Sequence, residues 1–257
     1  MTSAGPERVR RAWGIAALAV AVAAVCLLAV WRPWAGGAAP VSAGSAGDPA
    51  MSAAETRPLT IPERARVLVF GDSWTWGQSA VVPTRGYAYV LGRERGWDVI
   101  VDGVRGSGYL RPGIDGGTYG ERIAALDPGL DPDLVIVQGS INDRREDLAE
   151  LHAAVTDAWD ALADLYPDAE IVVFGPAPHV LPTERAVARI DRELAELAAL
   201  RGWVHISPIA EQWITERNHR RVIDPRDLHP STAGHAYLAL RLARDLAALS
   251  APDAVEQ

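Results

Sequence analysis

A serine placed directly after an apolar run, together with a histidine far downstream, has the residue types needed for nucleophilic catalysis. Residues 67–70 are apolar and of β-forming type, and they lead into Gly71-Asp72-Ser73, a small and sharply turning segment. A serine hydroxyl is a weak nucleophile until a base removes its proton. His229, within Asp227-Leu228-His229-Pro230, is the candidate for that base. The pair indicates catalysis by an activated serine.

Two further segments carry N–H groups that suit the stabilisation of an oxyanion. Glycines are frequent in Gly103-Val104-Arg105-Gly106-Ser107-Gly108, and they allow a backbone N–H to approach a ligand without obstruction by a side chain. The segment Gly139-Ser140-Ile141-Asn142-Asp143 supplies an amide side chain. Preorganised N–H donors of this kind stabilise the oxyanion of acyl transfer.

Apolar runs typical of buried strands alternate with segments of helical spacing, which predicts one architecture. The predicted strands are Arg66–Phe70, Asp98–Val101, Leu134–Gln138, Glu170–Phe174 and Trp203–Ile206, and the predicted helices are Tyr87–Arg95, Asp147–Leu165, Thr183–Leu200 and Thr232–Leu249. Parallel strands need crossover connections, so this alternation predicts an α/β fold, a three-layer α/β/α sandwich around a parallel sheet. Ligands bind beyond the carboxyl ends of such strands, where the candidate residues lie.

The start of the chain predicts a membrane segment. Residues 1–12 contain three arginines and would be a cytoplasmic N-terminus, and residues 13–31 form an uncharged apolar run between two tryptophans. A run of about 18 or more apolar residues can span a bilayer, which favours a transmembrane helix or signal anchor over a cleaved signal and secretion. Residues 32–60, rich in Ala, Gly, Pro and Ser, would be a flexible linker, and residues 61–257 the catalytic domain.

Four separated blocks resemble the SGNH hydrolase superfamily, the GDSL-type esterases and lipases. Gly71-Asp72-Ser73 is similar to the nucleophile block, Gly106 to the oxyanion glycine, Asn142-Asp143 to the Gly-x-Asn-Asp block and His229-Pro230 to the histidine block. The resemblance implies a flavodoxin-like parallel sheet and hydrolysis of carboxylic esters without a cofactor. It also implies that Ser73 is the nucleophile and His229 its base, with the Ser73 N–H, the Gly106 N–H and the Asn142 amide as the oxyanion hole.

Two positions depart from the family pattern. The acid is expected three residues before the histidine, where this chain has Arg226, and a guanidinium has no acceptor for an imidazole N–H. Asp227, or as an alternative Asp224, would then orient His229, or a backbone carbonyl would do so in a Ser–His dyad. The second departure is Ser140, which stands at the glycine of the Gly-x-Asn-Asp block.

Aromatic residues close to the blocks are candidates for lining the site. Trp74 and Trp76 follow the nucleophile, and Tyr109 follows the glycine-rich segment. Their faces would stack on a sugar or line an acyl pocket, although core packing explains the tryptophans equally well. We expect His235 to pack within the last helix and Asp143 to brace its loop.

Composition excludes several other classes of protein. The net charge is −8 with no lysine, so Schiff-base chemistry is excluded and a nucleic acid partner is disfavoured. The single cysteine, Cys26, rules out an intramolecular disulfide, and the sequence has no cluster of metal-ligating residues. Gly-x-Ser-x-Gly is absent around Ser73, which argues against an α/β-hydrolase.

The sequence as a whole predicts an extracytoplasmic, membrane-anchored serine esterase. Its substrate would be an acyl ester of a glycan or lipid, and removal of O-acetyl groups from a glycan is the favoured reaction. Acyl transfer to a sugar hydroxyl and a non-catalytic envelope-binding role on the same fold are the alternatives. The acyl chain length and the oligomeric state do not follow from the sequence.

Overall fold

The computed structural model describes residues 57–250, whose centre is a five-stranded parallel sheet. The strands are β1 (Arg66–Gly71), β2 (Asp98–Gly103), β3 (Leu134–Gln138), β4 (Glu170–Phe174) and β5 (Val204–Ile206). Their order across the sheet is β2-β1-β3-β4-β5, and every neighbouring pair is parallel. This is the doubly wound, flavodoxin-like order, which confirms the predicted fold class.

Helices connect the strands and cover both faces of the sheet. The α-helices are α1 (Ser73–Trp76), α2 (Tyr87–Arg95), α3 (Tyr119–Ile123), α4 (Leu148–Leu165), α5 (Arg185–Leu200), α6 (His219–Val222) and α7 (Thr232–Ser250). Short 3-10 helices form at Pro83–Arg85, Pro128–Leu130 and Ile141–Asp143. The boundaries of the predicted long helices and strands therefore agree with the structure to within two residues, which is inside the usual uncertainty of such boundaries.

Alternate residues of each central strand enter two different cores. In β1, Val67 and Val69 pack in a cluster with residues of α2 and α7, whereas Leu68 and Phe70 pack in a second cluster with residues of α3, α4 and α5. All four side chains are fully buried. A strand buried on both faces has a continuous apolar sequence, which explains why the sequence marks these strands so clearly.

A small antiparallel pair of strands, β6 (Ile223–Asp224) and β7 (His229–Pro230), forms the turn that carries the candidate base. The end of α6, directly before β6, packs against α7 at Gly234, where an added Cβ would lie only 1.9 Å from the carbonyl oxygen of Val222. Glycine is needed at this point because the backbones of the two helices approach so closely.

The N-terminal predictions fall mainly outside the described residues. The predicted cytoplasmic segment 1–12 and the apolar segment 13–31 both lie there, and within residues 57–250 no helix is long and apolar enough to cross a membrane. The end of the predicted linker is corrected by the structure. Leu59 is buried, and its N–H donates to the carbonyl of Leu249, so ordered packing begins before residue 61.

Candidate active site

Ser73 is the first residue of α1 and lies immediately beyond the carboxyl end of β1. Asp72 caps this short helix, since its Oδ1 accepts the N–H of Trp74 at 2.8 Å. Gly71 permits the tight turn, because an added Cβ would lie 2.3 Å from Oγ1 of Thr75. The side chain of Ser73 is thereby held against the sheet edge and is almost fully buried.

His229 lies beside Ser73, with 2.8 Å between its Nε2 and the serine Oγ. Its other ring nitrogen, Nδ1, lies 2.8 Å from the backbone carbonyl oxygen of Asp227. A carbonyl can only accept, so the proton of the neutral ring is on Nδ1 and Nε2 is free to accept the serine O–H. The backbone therefore selects the tautomer that a general base needs.

The side chains expected to orient His229 form other contacts. The nearest carboxylate oxygen of Asp227 is 3.8 Å from Nδ1, too far for a hydrogen bond, and this carboxylate accepts from Ser79 Oγ and Gln78 Nε2 instead. Asp224 forms an ion pair with Arg226, the shortest N–O distance being 2.6 Å. The prediction of an orienting carboxylate is thus corrected: the backbone carbonyl, the third alternative, makes the contact.

The carboxylate of Asp227 fastens the histidine turn to the loop after α1. Burial raises its pKa, but hydrogen bonds from Ser79, Gln78 and the His229 N–H outweigh that effect and hold the pKa below the usual value. The loop itself is held by His235, a buried residue whose Nδ1 accepts the Tyr87 N–H and whose Nε2 donates to the Gln78 carbonyl. His235 is consequently a packing residue, as expected, with a structural role near the site.

The predicted oxyanion donors lie on three neighbouring loops. Asn142 Nδ2 donates one hydrogen to the carbonyl of Ser107 at 2.9 Å, which leaves its second amide hydrogen free. Gly106, the residue before Ser107, has a φ of +76°, which favours glycine. The N–H of Ser73 is at the start of α1, where helical N–H groups have no partner within the helix. The Ser73 N–H and the free amide hydrogen of Asn142 are thus candidate donors to an oxyanion beside the nucleophile.

Two buried charged residues hold these loops in place. Both carboxylate oxygens of Asp143 accept backbone N–H groups across the site, from Tyr109 at 2.8 Å and from Leu110 at 3.1 Å. Arg122 donates to the carbonyls of Gly71 and Asp102 and to Ser107 Oγ. Asp143 thus braces more than its own loop, since it ties the Asn142 loop to the Gly106 loop.

Asp72, next to the nucleophile, is fully buried and has an unusual protonation equilibrium. Burial raises its pKa to about 7, more than the hydrogen bond from the Trp74 N–H lowers it. Its Oδ2 has no hydrogen-bond partner among the described residues. Asp72 therefore stabilises the start of α1 as its cap, but burial of its carboxyl group away from water costs folding free energy.

A cavity of about 190 Å³ opens beside Ser73. It is lined by Ser73, Trp74, Ile141, Asn142, Arg144, His179, Asp227, Leu228 and His229. The predicted lining role holds for Trp74 but not for the other two aromatic residues. Trp76 stacks against Arg105 outside the cavity, and Tyr109 is buried with its hydroxyl accepting from Trp159 Nε1. Gly106, predicted as an oxyanion donor, is not among the lining residues of this cavity.

Several lining residues, notably Arg144 and His179, are not predicted from the sequence. Arg144 lies two residues after Asn142, and His179 lies in the segment that follows β4. The only sequence signal for them is position, because both follow the carboxyl ends of parallel strands. Within the described residues 57–250, no group of three ligating side chains could hold a metal ion.

Comparisons with known proteins agree with this geometry. Residues 69–237 match the sequence profile of the GDSL-like lipase/acylhydrolase family. The chain is 32% identical over 200 residues to a GDSL lipase of Mycobacterium tuberculosis, covering 73% of this chain and 84% of that protein.

Solved structures share the fold at lower identity. An aryl esterase from M. smegmatis superposes with a TM-score of 0.56 at 19% identity, over 72% of this chain and 99% of that one. A two-domain esterase active on acetylated mannans superposes with a TM-score of 0.58 at 19% identity, over 75% of this chain and 51% of that one. With the paired serine and histidine, these similarities show that the chain belongs to the GDSL-like lipase/acylhydrolase family and is a carboxylic ester hydrolase of the SGNH type.

Proposed function

We propose that this protein is a membrane-anchored, extracytoplasmic serine esterase that removes small acyl groups, foremost O-acetyl groups of a glycan, through an acyl-enzyme. The observation that carries the proposal is the pair formed by Ser73 and His229, with 2.8 Å between Oγ and Nε2. The proton on Nδ1 is held by the carbonyl of Asp227, so Nε2 is ready to act as a base.

The proposed reaction has two stages. In the first, Ser73 Oγ attacks the ester carbonyl while Nε2 of His229 takes the hydroxyl proton, and the resulting oxyanion accepts hydrogen bonds from Asn142 and the loop N–H groups. The C–O bond to the alcohol then breaks, and His229 gives its proton to the leaving oxygen. In the second stage water attacks the acyl-enzyme with the same base, which releases the acid and restores Ser73.

The size of the cavity favours a small acyl group. Its volume of about 190 Å³ is below the roughly 300–1,000 Å³ typical of pockets that enclose a drug-sized ligand. An acetyl group fits such a space, whereas a long acyl chain would extend over the surface. A glycan is the favoured carrier because its bulk would stay outside the cavity while one substituent enters.

The proposed location depends on the sequence before the described domain. The apolar run 13–31 is preceded by arginines, which favours a cytoplasmic N-terminus and a domain on the other side of the membrane. A reporter test decides this point: alkaline phosphatase fused after residue 257 should be active in intact cells. The proposed orientation would be overturned if the phosphatase fusion is inactive and a fusion at the same position to a fluorescent protein, used as a reporter of the cytoplasm, is fluorescent.

The activity is tested by assaying the full-length protein, purified in detergent, with 4-nitrophenyl acetate, butyrate and octanoate. We expect kcat/KM to be highest for acetate and to disappear in Ser73→Ala, whose thermal unfolding should match that of the wild type. Release of acetate from an acetylated glycan then tests the substrate class. Faster hydrolysis of octanoate would refute the small-acyl proposal, and transfer of acetyl to an added sugar in preference to water would establish the acyltransferase alternative.

A further inference from the structure

A guanidinium group lies in the catalytic cavity and has no role in the chemistry described above. Arg144 lines the cavity together with Ser73 and His229. Its hydrogen bonding within the protein is sparse, since Nη1 donates to the carbonyl of Ile141 at 3.2 Å and Nε lies 3.5 Å from a carboxylate oxygen of Glu184. A guanidinium has five N–H donors, so most of those on Arg144 are available to a ligand.

Two other arginines of this protein, Arg226 and Arg122, form closer ion pairs than Arg144 does. Arg226 and Arg122 approach their aspartates to 2.6 and 2.7 Å, distances typical of charge-assisted hydrogen bonds. At 3.5 Å, Arg144 and Glu184 form a looser pair, and Glu184 also lies 3.8 Å from Nε2 of His179. The charge of Arg144 is therefore only partly compensated inside a concave site, which would favour an anion there.

The uncharged acyl group indicates which part of a substrate Arg144 would meet. Arg144 and His179 line the same cavity as Ser73 and His229, and a carboxylate oxygen of Glu184 lies 3.5 Å from Arg144 Nε and 3.8 Å from His179 Nε2. His229 must protonate the leaving oxygen, so the alcohol part of the ester departs on the histidine side of Ser73. The proposed acetyl group carries no charge, so an anion that meets Arg144 would belong to the alcohol part.

We propose that Arg144 is a specificity-determining residue that binds an anionic group, a carboxylate or a phosphate, on the alcohol part of the ester. This inference rests on the proposed esterase function and names the class of its substrate. An acidic sugar would supply a carboxylate and a phosphorylated headgroup or glycan a phosphate, and both present oxygens that suit a guanidinium fork. The acyl group would remain small and uncharged.

Two pairs of acetyl esters that differ in charge but little in shape test the proposal on the full-length protein. 4-Acetoxybenzoate is compared with 4-acetoxybenzamide, and the 3-substituted isomers are compared in the same way, because position on the ring changes the reach to Arg144. We expect kcat/KM in the wild type to favour the carboxylate by about tenfold in one pair, and the preference to weaken with added salt. Acetoxyphenyl phosphates then show whether phosphate is preferred to carboxylate.

Three variants identify the residue responsible. Arg144→Gln should abolish the preference for the charged ester, and Arg144→Lys should restore part of it because the charge returns without the planar fork. The neighbouring Arg145 is exposed to solvent, so Arg145→Gln removes the same charge from the same loop and should leave the preference intact.

The outcomes separate the inference from the function on which it rests. If the wild type hydrolyses charged and neutral esters equally well and needs Ser73 for both, the esterase stands and the role of Arg144 is refuted. A preference that persists in Arg144→Gln refutes it as well. If the wild type hydrolyses none of the acetyl esters, the proposed function fails together with the inference.

Discussion

Because the backbone of Asp227 orients His229, we predict that loss of the Asp227 carboxylate has only a modest effect on catalysis. In a catalytic triad the carboxylate fixes the histidine tautomer, and its replacement by the amide costs about 10⁴-fold in kcat. In this protein the carbonyl of Asp227 holds Nδ1 at 2.8 Å, and the carboxylate oxygen is 3.8 Å away. Asp227→Asn keeps the carbonyl and should therefore keep the tautomer, losing only the charge that stabilises the imidazolium.

The expected loss follows from that distance. Two unit charges 3.8 Å apart interact by about 4 kcal/mol at an effective dielectric constant of about 20. The side chain of Asp227 is 38% exposed, so solvent screening reduces this value to about 1–2 kcal/mol. The corresponding loss in kcat/KM is about 5- to 30-fold, since about 1.4 kcal/mol is a factor of ten.

The assay is hydrolysis of 4-nitrophenyl acetate by the full-length protein at the pH of maximal wild-type activity. Asp224→Asn is the matched control, because Asp224 pairs with the exposed Arg226 and not with His229, and it should change kcat/KM by less than about twofold. Thermal unfolding is measured in parallel, since the Asp227 carboxylate also holds Ser79. A loss of 10³-fold or more in a folded Asp227→Asn protein would refute the backbone-oriented dyad.

Three further predictions concern the oxyanion hole and the buried titratable residues. Asn142→Ala should lower kcat by about 10²–10³-fold with little change in KM, because its amide acts on the oxyanion; an equal effect on KM would contradict this. The pKa of Asp72 is raised from 3.8 to about 7, so the folded state binds this proton more tightly than the unfolded state and stability falls as pH rises between these values. The free energy of unfolding of Asp72→Asn, measured with urea, should therefore rise relative to that of the wild type by up to about 4 kcal/mol between pH 4 and 7. A difference in unfolding free energy that stays constant over this range would contradict the prediction. Burial lowers the pKa of His235 from 6.5 to about 4. The stability that the neutral ring contributes to the folded state is therefore fully present above pH 6.5 and is lost as pH falls toward 4. The destabilisation caused by His235→Gln should accordingly shrink over that range, and one that grew on acidification would refute the neutral, doubly bonded ring.

The sheet could be predicted well because each central strand is buried on both faces and so appears in the sequence as a continuous apolar run. Residues 134–138 are entirely buried in β3, and the corresponding run in the sequence is apolar up to its last residue. The nucleophile, its base and Asn142 were predictable for a related reason. Each lies in a loop beyond the carboxyl end of a strand, or within a motif with its own residue pattern, and the parallel topology brings those loops together.

Other parts of the site depend on contacts that no local pattern encodes. Tyr109 was expected at the cavity, but Asp143 binds its N–H and the ring turns inward to Trp159, a contact between residues 50 positions apart. The acceptor for His229 could not be chosen from sequence, because Asp227 offers both a carbonyl and a carboxylate. In the structure the carboxylate accepts a hydrogen bond from Ser79 Oγ, and the carbonyl accepts from His229 Nδ1.

The central claim is that Ser73 is a nucleophile activated by His229, and covalent labelling tests it most directly. The full-length protein is treated with a fluorophosphonate, and the modified residue is located by mass spectrometry of the digested chain. We predict one stable adduct on Ser73, absent from Ser73→Ala and formed at least 10²-fold more slowly in His229→Ala. Ester hydrolysis that persists undiminished in Ser73→Ala, or an active protein labelled at another residue with Ser73 unmodified, would contradict the account.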